Sequence, residues 1–124
     1  MFRIGNLINT RDTAKGPALA KVESHTPKIE APDTVKAGEP FKVRVKVGPH
    51  PSTPEHHISE VTIYFSKEGK PFNPAKVATI VFEPGVTEPE AEIIMKVDAP
   101  GTIHAVAYCN LHGLWEGTKE VRIE

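Results

Sequence analysis

Six histidines and one cysteine are the residues of this 124-residue chain best suited to holding a transition metal. The cysteine, Cys109, stands in "AYCNLHGLWEG" (107–117), with His112 three residues on and the only tryptophan, Trp115, just beyond. A thiolate and an imidazole at that spacing, where a strand gives way to a turn, can face one ion. The same cysteine also suits a buried core position, because free cysteine is among the most buried residue types. The C-x-x-H pair does not choose between these readings, so the choice rests on the other histidines.

"GPHPSTPEHH" (48–57) carries three of them. Pro49 and Pro51 bracket His50, restricting the local dihedrals and removing backbone donors, so the ring is aimed at low entropic cost. His56 and His57 are neighbours at the start of a strand and point to opposite faces, so one of them is expected to bind; spacing alone leaves open which. His25 lies in "KVESHTPKIE" (21–30), with Glu23 two residues earlier. His104 falls mid-strand on the face opposite Ile103, Ala105, Ala107 and Cys109, which makes it structural or solvent-exposed. Four imidazoles and a thiolate exceed a tetrahedral zinc site and suit a five-coordinate ion with an open position, which favours iron or copper and redox chemistry. The lone cysteine excludes an internal disulfide, and the absence of a C-x-x-C pair excludes a rubredoxin-like or zinc-ribbon module.

Such residues need a rigid frame to bring them together. Twelve prolines and nine glycines punctuate short β-branched runs, and no segment keeps a helical period. The clearest strand is "FKVRVKV" (41–47), with Phe41, Val43, Val45 and Val47 on one face and Lys42, Arg44 and Lys46 on the other. Further strands are expected at 61–65, 76–82, 91–97, 102–109 and 119–123, with a short one near "PKIEAP". The fold class is therefore all-β, an immunoglobulin-like sandwich of seven antiparallel strands over residues 21–124. Residues 1–20 form an irregular N-terminal arm with room for one helical turn. The whole is expected to be a single domain with a core that needs no metal to fold.

A net charge of −1 with scattered Lys and Arg gives no footprint for nucleic acid or a membrane surface. No long apolar run and no basic-then-apolar start occur, so a cytoplasmic location is expected.

Three blocks in order, "ESHTPKIE", "HPSTPEHHI" and "YCNLHGLWE", resemble the one-domain superoxide reductases, also called neelaredoxins, whose iron-binding domain recurs in desulfoferrodoxins. The resemblance spans nearly everything after residue 20. It implies one iron per chain in a square-pyramidal centre, with His25, His50, His56 and His112 in the plane and the Cys109 thiolate at the apex, trans to an open site. It thereby favours His56 over His57. Ferrous iron, four neutral imidazoles and one thiolate sum to a single positive charge, which attracts superoxide. One-electron reduction then yields hydrogen peroxide, and the iron is reduced again by an external donor, usually rubredoxin. Glu23 matches a glutamate that can take the sixth position of the oxidised iron. Many relatives have lysine where this chain has Ser24; a serine can hold water but brings no charge, and Lys21 is the nearest substitute cation, on the side of Glu23 if this stretch is extended. Trp115 is expected to pack over the ligand loop. One-domain relatives are commonly homotetramers.

Two other classes fit part of the pattern. A cupredoxin-like copper carrier also ends a strand in "YC" near a histidine, but needs a methionine just beyond it, whereas Met95 precedes the cysteine by a strand. A metal-free sandwich that binds a partner would leave the loop histidines without a common role.

Overall fold

The structure is a computed structural model that describes residues 2–124. Its eight strands are β1 (Lys28–Glu30), β2 (Thr34–Val35), β3 (Phe41–Lys46), β4 (Ile58–Lys67), β5 (Ala75–Val81), β6 (Glu90–Met95), β7 (Gly101–Cys109) and β8 (Gly113–Ile123). They form two sheets, ordered β1-β3-β6 and β2-β8-β7-β4-β5. The expected alternation is visible in β3, where Phe41, Val43 and Val45 are buried while Lys42, Arg44 and Lys46 are exposed. Val61, Ile63 and Phe65 of β4, Ile103, Ala105 and Ala107 of β7, and Met95 of β6 meet them to make one core, in which Cys109 also takes part.

This two-layer β architecture is consistent with an immunoglobulin-like sandwich and departs from the expected strand list in three respects. Among the described residues there are eight strands rather than seven, and β2 runs parallel to β8, with Thr34 opposite Arg122 and Val35 opposite Ile123. A strand of two residues offers no alternation to read, so nothing in the sequence marks it. The last strand also begins at Gly113 rather than near Lys119, because Trp115 and Gly117 extend its inward face.

Helical turns occupy α1 (Ile4–Leu7), a 3₁₀ turn (Gly16–Lys21) and α2 (Val22–His25). The stretch around Glu23 is thus helical and not extended, so Lys21 and Glu23 project in different directions. Between the first two turns, Asn9 lies alongside β8: its N–H donates to Leu114 O at 2.9 Å, and the Glu116 N–H donates to Asn9 O at 2.8 Å. Among the described residues no helix is long and apolar enough to cross a membrane.

Topology places five candidate donors at one rim. The start of β1 lies beside the end of β3, with Lys28 opposite Lys46, so His25 and the His50 loop share an end of the sandwich. The start of β4 lies beside the end of β7, with Ile58 opposite Cys109, and Gly113 at the start of β8 also faces Cys109. A bulge between Ile58 and Glu60 breaks the alternation just there, as bulges do where a strand must re-aim side chains.

Candidate metal centre

Cys109 is the last residue of β7 and has no solvent exposure. Its Sγ lies 3.6 Å from His50 Nε2 and 3.6 Å from His112 Nδ1. His25 Nε2 lies 3.2 Å from both of those nitrogens. The donor atoms of His25, His50, His56 and Cys109 all lie within 4.8 Å of one another.

The ring positions give the cluster its shape. Successive centroid distances are 4.6 Å for His25–His50, 4.5 Å for His50–His56, 5.0 Å for His56–His112 and 5.1 Å for His112–His25. Each successive pair is steeply inclined, by 72° to 84°, whereas His25 and His56 stand 6.3 Å apart and inclined by only 30°. Four imidazoles therefore form a ring with His25 and His56 across it, and the sulfur touches two of its members.

Each donor is held by a local device. Gly48 adopts φ +129°, and a Cβ there would meet the His50 backbone nitrogen at 2.6 Å, so only glycine turns the chain this way into His50. His50 Nδ1 donates to Pro51 O at 2.7 Å; because a carbonyl only accepts, Nε2 is left with its lone pair facing the cluster. His25 Nδ1 has Lys21 O at 3.2 Å and Ser24 Oγ at 2.7 Å on its outer side. Trp115 packs with its ring centroid 5.2 Å from that of His25 and donates from Nε1 to His112 O at 3.0 Å.

Sequence reasoning did not find two struts between the loops. Asn110 accepts the His57 N–H on Oδ1 and donates from Nδ2 to Glu55 O, both at 2.9 Å, tying the C-x-x-H turn to the His56 loop. Lys28 donates from Nζ to Glu23 O and Gly48 O, both at 3.2 Å, joining the His25 turn to the His50 loop. An asparagine within C-x-x-H and a lysine after Thr-Pro carry no such signal in the sequence alone.

The remaining candidates lie outside the ring. His57 turns away, its Nδ1 donating to Thr53 O at 2.9 Å. His104 sits on the outer face of its sheet between Ser66 Oγ at 2.7 Å and Glu116 Oε2 at 2.8 Å. The Glu23 carboxylate is exposed and paired with Arg11 at 2.5 Å, which holds its carboxyl below the usual range. Ser24 is adjacent to the cluster through His25.

Burial and nearby positive charge favour the neutral form of three of the ring's imidazoles. Desolvation, helped by His50 and His112, pushes His25 down to about 4 from 6.5. Desolvation also lowers His50, and it lowers His112 together with the nearby Lys21 charge. Neutral imidazoles are the form that binds metal.

The donor set fits an ion. For metal–nitrogen bonds of about 2.1 Å and metal–sulfur bonds of about 2.3 Å, donors at right angles lie about 3 Å apart, close to the separations found here. His56 Nε2 is buried without a hydrogen-bond partner, as is Thr26 Oγ1. A buried imidazole nitrogen facing three other donors is a costly orphan unless a cation meets it.

Residues 18–118 match the desulfoferrodoxin family profile. The chain belongs to the desulfoferrodoxin family. Within it, the chain is 43% identical to the superoxide reductase of Pyrococcus horikoshii, over 84% of this chain and 90% of that protein. It is 35% identical to the neelaredoxin of Megalodesulfovibrio gigas, over 84% and 91% of the two lengths. A solved superoxide reductase (neelaredoxin) from Ignicoccus hospitalis superimposes with a TM-score of 0.93 at 50% identity, covering 99% of this chain and all of that one. Desulfoferrodoxin family membership and the rim cluster thus point to the same region of the chain.

Proposed function

We propose that this chain is a superoxide reductase whose iron, one per chain, is held by His25, His50, His56, His112 and Cys109. The observation that carries the reading is the closed ring of four imidazoles with the buried Cys109 sulfur against it. Iron held there supplies the one-electron transfer that, with two protons, turns superoxide into hydrogen peroxide, and a thiolate donor favours that transfer.

The chain's own residues prepare this chemistry. The neutral imidazoles leave a thiolate as the ring's single negative donor, so the loaded centre keeps a net positive charge toward an anion. Lys21 adds to it, since its charge is felt at both His25 and His112. Lys21→Ala should slow the bimolecular reaction with superoxide and flatten its ionic-strength dependence. The Ser24 hydroxyl offers a place for water near the site. Glu23 must give up its pair with Arg11 to act at the centre. Glu23→Ala should therefore leave superoxide reduction intact while altering the ferric spectrum and its response to added anions.

Relatives named superoxide reductase and neelaredoxin support this reading over a copper carrier. Met95, which a copper site would need nearby, is buried opposite Phe41 at the far end of β3. Metal analysis of anaerobically purified protein, followed by a superoxide pulse, tests the proposal: about one iron per chain and rapid oxidation of the ferrous form are expected. Copper, or no metal, would reject it. The reading extends to rubredoxin as electron donor, a homotetramer and a cytoplasmic location, checked by mixing with reduced rubredoxin, light scattering and cell fractionation.

A further inference from the structure

We infer that Ser24 is a positioning residue for His25, accepting the ring Nδ1–H on its hydroxyl oxygen and passing its own hydrogen to the Lys21 carbonyl. The inference rests on the proposed metal centre and concerns how one of its ligands is held. Ser24 Oγ lies 2.7 Å from His25 Nδ1 and 3.2 Å from Lys21 O. Lys21 O is also 3.2 Å from His25 Nδ1, so oxygen, ring nitrogen and carbonyl form a closed triangle on the outer side of the imidazole.

The tautomer follows from the inner side. His25 Nε2 faces His50 Nε2 and His112 Nδ1 at 3.2 Å, and His50 Nε2 already presents a lone pair because its Nδ1–H is spent on Pro51 O. A ligand nitrogen must present a lone pair, so the His25 proton resides on Nδ1 and the atoms around Nδ1 must accept it. The serine oxygen is the nearer acceptor. Its hydroxyl hydrogen is then free for the one partner that cannot donate, the Lys21 carbonyl.

Only a group that both accepts and donates completes this chain. Alanine leaves the more distant carbonyl as sole acceptor. A lysine ammonium has donors only and cannot take the ring N–H. The serine therefore does more than fail to supply a charge: its oxygen raises the donor strength of His25 and fixes its rotation, as outer hydrogen bonds to ligating histidines generally do.

The test uses the full-length iron-loaded chain in competition with a chelator, together with its ferric/ferrous midpoint potential. Losing such an outer partner typically weakens metal binding 10- to 100-fold; with the Lys21 carbonyl still in reach, Ser24→Ala should weaken it by about tenfold. The midpoint potential should rise, because a weaker donor stabilises the ferric ion less. Ser24→Thr, which keeps the hydroxyl, should hold both values near those of the unaltered protein. A Ser24→Ala protein unchanged in either readout overturns the inference, as does a Ser24→Thr protein that falls with it. His25→Ala serves as the control: if it keeps iron as tightly as the unaltered chain, the metal centre itself is wrong, whereas loss of iron only there leaves the centre standing and removes Ser24.

Discussion

Asn110 sits between the cysteine and the histidine of the C-x-x-H, yet its side chain serves the opposite loop. Both of its amide groups bond backbone of residues 55–57, so the turn that carries Cys109 and His112 is locked to the loop that carries His56. Asn110→Ala would leave the partly buried His57 N–H without its acceptor and free the two loops from each other. A loss of about 1–3 kcal/mol of stability is expected, with faster release of iron to a chelator, read from urea unfolding and stopped-flow chelation. His25 makes a second prediction at this scale. Its folded value of about 4 lies below the ordinary 6.5, so the unfolded chain takes up a proton that the folded metal-free chain refuses. Stability of the metal-free protein is therefore undiminished above about 6.5 and declines as the pH falls toward 4, by about 3 kcal/mol from this group. Urea midpoints between pH 7.5 and 4 check it, and His25→Gln should flatten the profile. Of these residues, the histidines and the cysteine were legible from their type; Asn110 and Lys28 were not, because a polar side chain that braces one loop against another looks like any surface residue until the loops meet.

Strands and turns decide where the donors point. β7 ends in Cys109 because Ile103, Ala105 and Ala107 put every second residue inward, and the cysteine continues that series. Its inward direction was readable from period alone. The start of β8 was not, since "GLWEG" mixes glycines with one aromatic and shows no alternation. Gly117 in that stretch passes so close to the chain after α2 that a Cβ would lie 2.0 Å from Pro27 O. Because Pro27 follows His25 by two residues, Gly117→Ala should displace the His25 turn as well as strain the strand. Overpacking of this kind costs about 1–3 kcal/mol, and the variant should also hold iron less tightly, measured by thermal unfolding and chelator competition. Thr118→Ala, one residue on, should leave iron affinity unchanged. The helical winding of residues 16–25 likewise escaped the sequence reading: six and four residues are too short for a 3.6-residue period to declare itself.

At the scale of the molecule, the core and the centre are separable. The apolar core runs between the sheets and reaches the rim at Val47, Ile58 and Cys109, so removing the metal should not dissolve the fold. Chelation should leave the far-UV circular dichroism of the β-sandwich intact while lowering Tm, because a ligand that binds only the folded chain stabilises it by mass action. Trp115, the only tryptophan, lies 5.2 Å from the His25 ring by centroids, so its fluorescence should report the same loading. The sequence by itself determined the β character, the inward-facing series that ends in Cys109, and a pool of loop histidines near strand ends, because these follow from periodicity, turn residues and side-chain chemistry along a local stretch. The family resemblance implied His25, His50, His56, His112 and Cys109 as one set and favoured His56 over His57; only the tertiary structure decided which loops and strand ends close them into a ring against the sulfur, what turns His57 away, and that Ser24 backs His25. Those outcomes depend on which strand ends lie side by side, and that adjacency is set by the packing of two sheets over a shared core rather than by any one segment.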